Sequence, residues 1–375
     1  MEKIDLVYMW VDDSDKKWRD EKNFWLREIQ GKAPMYDEAA VDARWRDNDE
    51  LKFALRSAEK FAPWINHIFI VTANGQGPKW LNTKHPKITI VSHEQIMPAD
   101  SLPTFNSVAI EMCLMNIPNL SEHFLLANDD MFFYRHVGPD FFFDDKGRAI
   151  VWYKQNKISD DIAYEMEMAE SDYRRTVLVA GYKIWQLFGK KFWDFAPAHN
   201  IDPYIKSSMT QCRNHPLLAQ DFNKQIRNKF RTNWEIQRWI FNLYDLAHGC
   251  AVFKRVRYRK KAKHWIYNRI YKDNYMNAPI YCDNINNIPI NANPSLFCIN
   301  DTPNTTDEIR KQNSKEFEKI LNKKQKAELE VMKAEGRARF EKHHKARPPF
   351  QGLGTPNMFL KPLLPPPPQK EGLWK

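Results

Sequence analysis

Phe124-Leu-Leu-Ala-Asn-Asp-Asp130, running on into Met131-Phe-Phe133, is a short apolar run that ends in paired carboxylates. Four apolar or small residues read as a buried strand, and the acids fall where that strand ends. In an open α/β sheet, ligands bind outside the carboxyl ends of the strands. Adjacent aspartates there suit Mg²⁺ or Mn²⁺ held against a diphosphate, because hard cations take oxygen ligands. Taken alone, Asn-Asp-Asp reads more readily as a turn than as a metal site, since both residue types bond to their local backbone.

Working outward, three further segments carry the same strand signature. Ile4-Asp-Leu-Val-Tyr-Met-Trp10 ends in the acidic run Val11-Asp-Asp-Ser-Asp15, His67-Ile-Phe-Ile-Val-Thr-Ala73 is closed by Asn74-Gly75, and Lys87-Ile-Thr-Ile-Val-Ser-His93 follows. All are short, rich in β-branched residues and punctuated by turn formers. Between the first two, Leu51, Ala54, Leu55, Ala58 and Phe61 fall on one helical face, with Asp49 as the expected N-cap. Strand, helix and strand, with polar clusters at the strand ends, predict a Rossmann-like nucleotide-binding α/β sheet.

The chain has 375 residues, enough for one large domain or two ordinary ones. Its 57 Lys and Arg against 47 Asp and Glu give a formal charge of +10, which favours anionic partners without choosing among them. The five cysteines (Cys113, Cys212, Cys250, Cys282, Cys298) show no CxxC spacing, so buried free thiols and a reducing compartment are expected rather than a zinc site. The N-terminus carries no charged-then-apolar leader, and no run reaches the ~18 apolar residues of a membrane span. The expectation is a cytoplasmic protein, with peripheral attachment at the inner face of an anionic membrane as an added possibility.

Read together, these segments resemble the Stealth family, which comprises bacterial capsular polysaccharide phosphotransferases and the animal GlcNAc-1-phosphotransferase. Four blocks carry the resemblance, in order. They are Ile4 to Asp15; Arg44-Trp-Arg-Asp-Asn-Asp-Glu50 onward to Leu102-Pro-Thr-Phe-Asn-Ser107 and Asn128-Asp-Asp130; Pro197-Ala-His199 to Phe230-Arg231; and Phe297-Cys-Ile-Asn-Asp301. Two positions depart from the family pattern: Asp13 stands where Gly is usual, and Asn106 replaces a Ser. The resemblance implies transfer of a hexose-1-phosphate from a UDP-sugar donor to a hydroxyl of a saccharide or polysaccharide acceptor. A phosphodiester forms, UMP leaves, and the anomeric bond survives. It also implies a GT-A-like fold.

On that resemblance, Asp129, Asp130 and Asp301 are expected to hold Mg²⁺ or Mn²⁺, with Asp130 also counted among the catalytic residues. Phosphoryl transfer needs positioning and charge neutralisation above all. His199, placed at the start of a helix, is the expected general base, and Arg231 the cation that forks onto phosphate. Asp12, Arg44, Asn48, Glu50, Asn74 and Asn106 are the expected substrate contacts. Arg44, Asn48 and Glu50 lie just before a helix, where N–H groups point outward. Each has a plainer explanation. Asp301 could form a turn, Glu50 could simply favour the helix end, and an isolated His is often structural.

The expected organisation is a catalytic domain over 1–305, with a nucleotide-binding α/β part to 155 and a mostly helical, basic part from 156. A charged helix over 306–347 and a Pro-rich tail over 348–375 follow. The stretch Lys254 to His264 holds seven Lys or Arg in eleven positions, without a nucleic-acid-binding motif, so no nucleic-acid partner is expected. Residues 307–375 carry 16 Lys and Arg against 9 Asp and Glu, with a thin apolar stripe that includes Phe317 and Ile320. That stripe suits docking on the domain or on a membrane. Two rival readings are a glycosyltransferase that releases UDP, and a basic polymer- or membrane-binding protein without enzymatic activity.

Overall fold

The computed structural model of the chain describes residues 2–29, 45–156, 158–256, 280–282, 294–299, 301 and 305–319. The elements run β1 (Ile4–Met9), α1 (Lys16–Ile29), α2 (Glu50–Phe61), β2 (Ile68–Thr72), β3 (Ile88–Ser92), α3 (His93–Ile96), α4 (Ser107–Glu111), β4 (His123–Asn128) and β5 (Met131–Phe133). They continue with β6 (Ala149–Gln155), α5 (Ile162–Glu167), α6 (Asp172–Phe188), β7 (Phe195–Pro197), β8 (Asp202–Ile205), α7 (Lys206–Arg213), α8 (Ala219–Gln225) and α9 (Trp239–His248). Strands β9 (Ala251–Arg255), β10 (Ile280–Cys282) and β11 (Leu296–Ile299) follow, and a helix spans 307–319.

The main sheet has the order β3-β2-β1-β4-β8, with β1 to β4 parallel and β8 antiparallel to β4. The four strands expected from apolar patterning are therefore present, and the parallel order 3-2-1-4 is that of a Rossmann-type half. Strands β1, β2 and β4 are buried along nearly their whole length, as in a parallel sheet covered on both faces, whereas the edge strand β3 buries Ile88 and Val91. The chain order reverses between β1 and β4, and a crevice opens at such a switch point, at the carboxyl ends of the strands. Asp12 follows β1 and Asp129-Asp130 follow β4, so the fold brings these two acidic loops to that crevice.

Two small sheets flank the main one, ordered β10-β11-β5 and β7-β6-β9. Helix α2 buries Leu51, Phe53, Ala54, Leu55, Ala58 and Phe61, the face that the periodicity marks. Phe317 of the 307–319 helix stacks on Phe53 and Phe297, with centroids 5.1 and 5.6 Å away, and sits 4.6 Å from Phe132. Burying such a ring contributes about 1.5–3 kcal/mol. Through Phe317 this segment is thus packed on the domain.

Several local expectations change. Asp49 precedes α2 but lies at φ 66°, in the left-handed region, and makes no cap hydrogen bond; its carboxylate faces Lys52 Nζ at 3.6 Å. His199 opens no helix, occupying the turn between β7 and β8 with φ 58°. Cys113, Cys212 and Cys298 are buried free thiols, as expected, while Cys250 is half-buried. No helix among the described residues is long and apolar enough to cross a membrane. Arg44, the basic run from 257 to 264 and the tail beyond 319 lie outside the described residues.

Candidate active site

The loop before α2 is fixed from below. Trp45 packs edge-on against Trp18 at 6.2 Å, and buried Lys22 lies 4.1 Å above the Trp45 ring. That anchor presents Asp47, Asn48 and Glu50 towards the end of β4. Asn48 donates to Glu50 from its side chain at 2.6 Å and also from its backbone N–H. Burial raises the Glu50 carboxyl to about 7 and that of Asp47 to about 6.

Asp129 faces this cluster, and Asp130 beside it is near Cys298 and Arg238. Burial raises the Asp129 carboxyl well above the usual range, and Asp130, Glu50 and Asp47 add to the effect by repulsion. Asp130 is held at about 6, pushed up by burial and eased down by a Cys298 hydrogen bond and by Arg238. One Asp130 oxygen, Oδ1, is buried without a hydrogen-bond partner. Crowded, desolvated carboxylates with an orphaned oxygen fit a hard divalent cation.

Asp301 does not join them. It is gripped by Arg310, with contacts of 3.0 to 3.2 Å, and also faces Arg46 Nη1 at 3.4 Å and Asn48 Nδ2 at 3.5 Å. So engaged, the carboxylate braces Asn48. Among the described residues no three His, Cys, Asp or Glu side chains converge to hold a metal.

Opposite the acids lies a basic half. His199 is half-buried, and its Nδ1 lies 3.4 Å from the Tyr173 hydroxyl. Burial, then Arg238, Lys154 and Arg231, depress the imidazole to about 3, so it is neutral at physiological pH. Arg231 donates to Ser107 Oγ at the start of α4. Arg238 is buried and bridges three elements: Glu111 Oε1 at 2.9 Å, Asn128 Oδ1 at 3.2 Å and Asp202 Oδ2 at 3.9 Å. Its charge is partly matched, and it fixes Asn128 immediately before the paired aspartates.

The remaining expected contacts divide. Asp12 is at the crevice, its carboxylate accepting from the Ser14 backbone at 2.9 Å and from its hydroxyl at 2.5 Å. Gln76 ties this loop to the end of β2, accepting from Asp12 N at 3.2 Å and donating to Asp15 at 2.9 Å. Asn74 is exposed at the end of β2, at φ 53°. Asn106 is fully buried and faces no ligand space. It caps α4 through Val108 N at 3.0 Å and donates to Glu235 at 2.7 Å and to the Phe230 carbonyl at 3.3 Å. Its amide is consumed in joining α4 to the Arg231 loop, which overturns the sugar-pocket expectation. Sequence reasoning missed Arg238, Lys154 and Tyr173, which no motif marks.

Arg238 links the acidic and basic groups at the switch point of the Rossmann-like sheet, acting on Asp130 on one side and His199 on the other. The family description "Stealth protein CR2, conserved region 2" matches residues 44–151. The capsular polysaccharide phosphotransferase of Actinobacillus suis is 32% identical over 80% of this chain and 76% of its own. Exopolysaccharide phosphotransferase cps2G of Lactiplantibacillus plantarum is 44% identical over 65% of this chain and 75% of its own. The capsular polysaccharide phosphotransferase of Neisseria meningitidis serogroup B is 44% identical over 67% and 66%. The chain belongs to the Stealth family, and it is a transferase of that phosphotransferase class. A solved structure of galactosyltransferase LgtC, in complex with donor and acceptor sugar analogs, is 11% identical with a TM-score of 0.38, over 85% of this chain and 96% of that one. That similarity is too low to transfer chemistry.

Proposed function

We propose that this chain transfers a hexose-1-phosphate, most simply an N-acetylhexosamine-1-phosphate, from a UDP-sugar to a saccharide hydroxyl. The product is a phosphodiester in a surface polysaccharide, and UMP leaves. The observation that carries this reading is the neutral His199 set among Arg231, Arg238 and Lys154, with Arg238 also acting on Asp130 of the pair that follows β4. Three cations suit a phosphate, and a neutral imidazole suits an incoming hydroxyl proton.

The environment of His199 also supplies a control. Without a bound anion, its depressed basicity makes it a poor proton acceptor. A donor diphosphate among the three cations would offset their field and raise the imidazole toward its ordinary value. Base strength then depends on donor occupancy, which limits idle deprotonation. Arg231 would hold phosphate oxygens that gain charge in the transition state. Asp129 and Asp130 would hold Mg²⁺, whose bound charge neutralises the diphosphate. Asn48 and Glu50, braced by Asp301, would orient donor hydroxyls beside them.

The test is incubation with UDP-, GDP- and CDP-sugars and a saccharide acceptor, followed by identification of the released nucleotide. UMP release with phosphorus in the product is expected. UDP release with a phosphorus-free product would move the chain to glycosyl transfer.

A further inference from the structure

We infer that Trp234 and Tyr173 form an aromatic platform for the acceptor saccharide, Tyr173 beside His199 and Trp234 in the loop that carries Arg231. The inference rests on the phosphotransfer reading above and assigns the acceptor side of that site. Trp234 is 55% exposed and Tyr173 is 37% exposed, large values for such rings. Both belong to the site's immediate surroundings. The Tyr173 ring stands edge-on to His199 at 5.6 Å, with its hydroxyl 3.4 Å from Nδ1.

Trp234 follows Arg231 by three residues in the same loop, and the Arg175 guanidinium lies 5.6 Å from its ring. Arg175 shares the start of α6 with Tyr173. Arg231 in turn acts on His199 by its charge. These relations bring the Trp234 loop to the start of α6, where Tyr173 meets His199.

A pyranose presents a face of C–H groups and an edge of hydroxyls. Its C–H face rests on the negative face of an aromatic ring, while its hydroxyls need charged or polar neighbours. A ring-bearing rim around a neutral His and a phosphate-binding Arg offers both at once. The relatives named polysaccharide phosphotransferases agree with a saccharide as occupant.

The experiment applies the full chain to an array of glycans with gluco-, galacto- and N-acetylhexosamine termini, and measures affinity for those that bind. Trp234→Ala and Tyr173→Ala should weaken binding about three- to tenfold, the loss of one stacked ring. Trp234→Phe and Tyr173→Phe, which keep a ring, should restore most of it. Trp234→Gln covers the case in which alanine disturbs the loop, and melting curves report folding. Equal binding by ring-less and ring-bearing variants, or no glycan bound by the unaltered chain, overturns the platform. UMP release from UDP-N-acetylglucosamine is measured separately. Its absence with glycan binding intact counts against the donor reading and leaves the platform standing.

Discussion

Arg310 and Asp301 form a bidentate pair, with Nε 3.1 and 3.2 Å from the two carboxylate oxygens and Nη2 3.0 Å from Oδ1. The side chains are only 14% and 10% exposed, so solvent screens the pair weakly. It ties the 307–319 helix to the loop that carries Asn48. The helix is therefore a structural support of the acidic half of the site.

Removing that support should be costly. Phe317→Ala should destabilise the fold by about 3–5 kcal/mol, the usual cost of deleting a buried aromatic ring. Arg310→Ala should cost about 2 kcal/mol, leaving a carboxylate without its main partner. A chain cut after 304 should melt earlier than either variant, read by calorimetry. A cut chain with an unchanged melting curve would place this helix outside the cooperative fold.

His199→Asn should lower turnover by about 10²–10⁴, the range for a lost general base. Asparagine is the appropriate substitute because it tolerates the positive φ that alanine resists. Arg231→Gln should lower turnover by a comparable factor through lost phosphate binding. Both variants should melt within a few degrees of the parent. A variant that melts far lower but keeps its rate per folded molecule would assign that residue to structure.

At the carboxylates, Asp129→Asn should abolish most activity and yet raise thermal stability in chelator, because it removes charge that burial and repulsion disfavour. Mg²⁺ should raise the melting temperature of the parent chain and fail to do so for Asp129→Asn or Asp130→Asn. Identical Mg²⁺ responses in all three proteins would exclude these aspartates as its ligands.

Asp245 supplies a test remote from the chemistry. It is buried, accepts from Ser208, leaves Oδ2 without a partner, and its carboxyl is pushed up to about 7 by burial. The folded state then binds a proton that the unfolded state has already released between about pH 4 and 7. Stability from this residue is fully present below pH 4, falls as pH rises to 7, and is flat above. Asp245→Asn should therefore stabilise the fold at pH 8, by up to about 4 kcal/mol, and flatten that slope. Denaturant melts across this pH range that superimpose for both proteins would contradict the assignment.

The sheet was legible because buried parallel strands write themselves as short β-branched runs, and Ile68–Thr72 and Ile88–Ser92 have no competing period. The acidic half was legible for a related reason, since carboxylates at strand ends follow from the topology. Arg238 was not. It lies in Ile236-Gln-Arg-Trp-Ile240, where a charge beside apolar residues reads as an exposed helix start. Its partners Glu111, Asn128 and Asp202 come from three separate elements. Asn106 and Asp301 were legible as important and misread in role, because spacing does not reveal whether an amide or carboxylate is already spent on a neighbour. Capping bonds and Arg310 consume them here.

Strand β11 pairs with β5, and Ile299 N–H donates to the Asp130 carbonyl at 3.0 Å. The loop bearing the paired aspartates is thus covered by residues made long after it on the ribosome. Closing so long a stretch of chain is slow relative to local structure. During synthesis the crowded carboxylates stay open to water until the C-terminal third arrives. Catalytic competence therefore comes late in the life of each molecule, and a prematurely terminated chain would be an inert product instead of a partial enzyme.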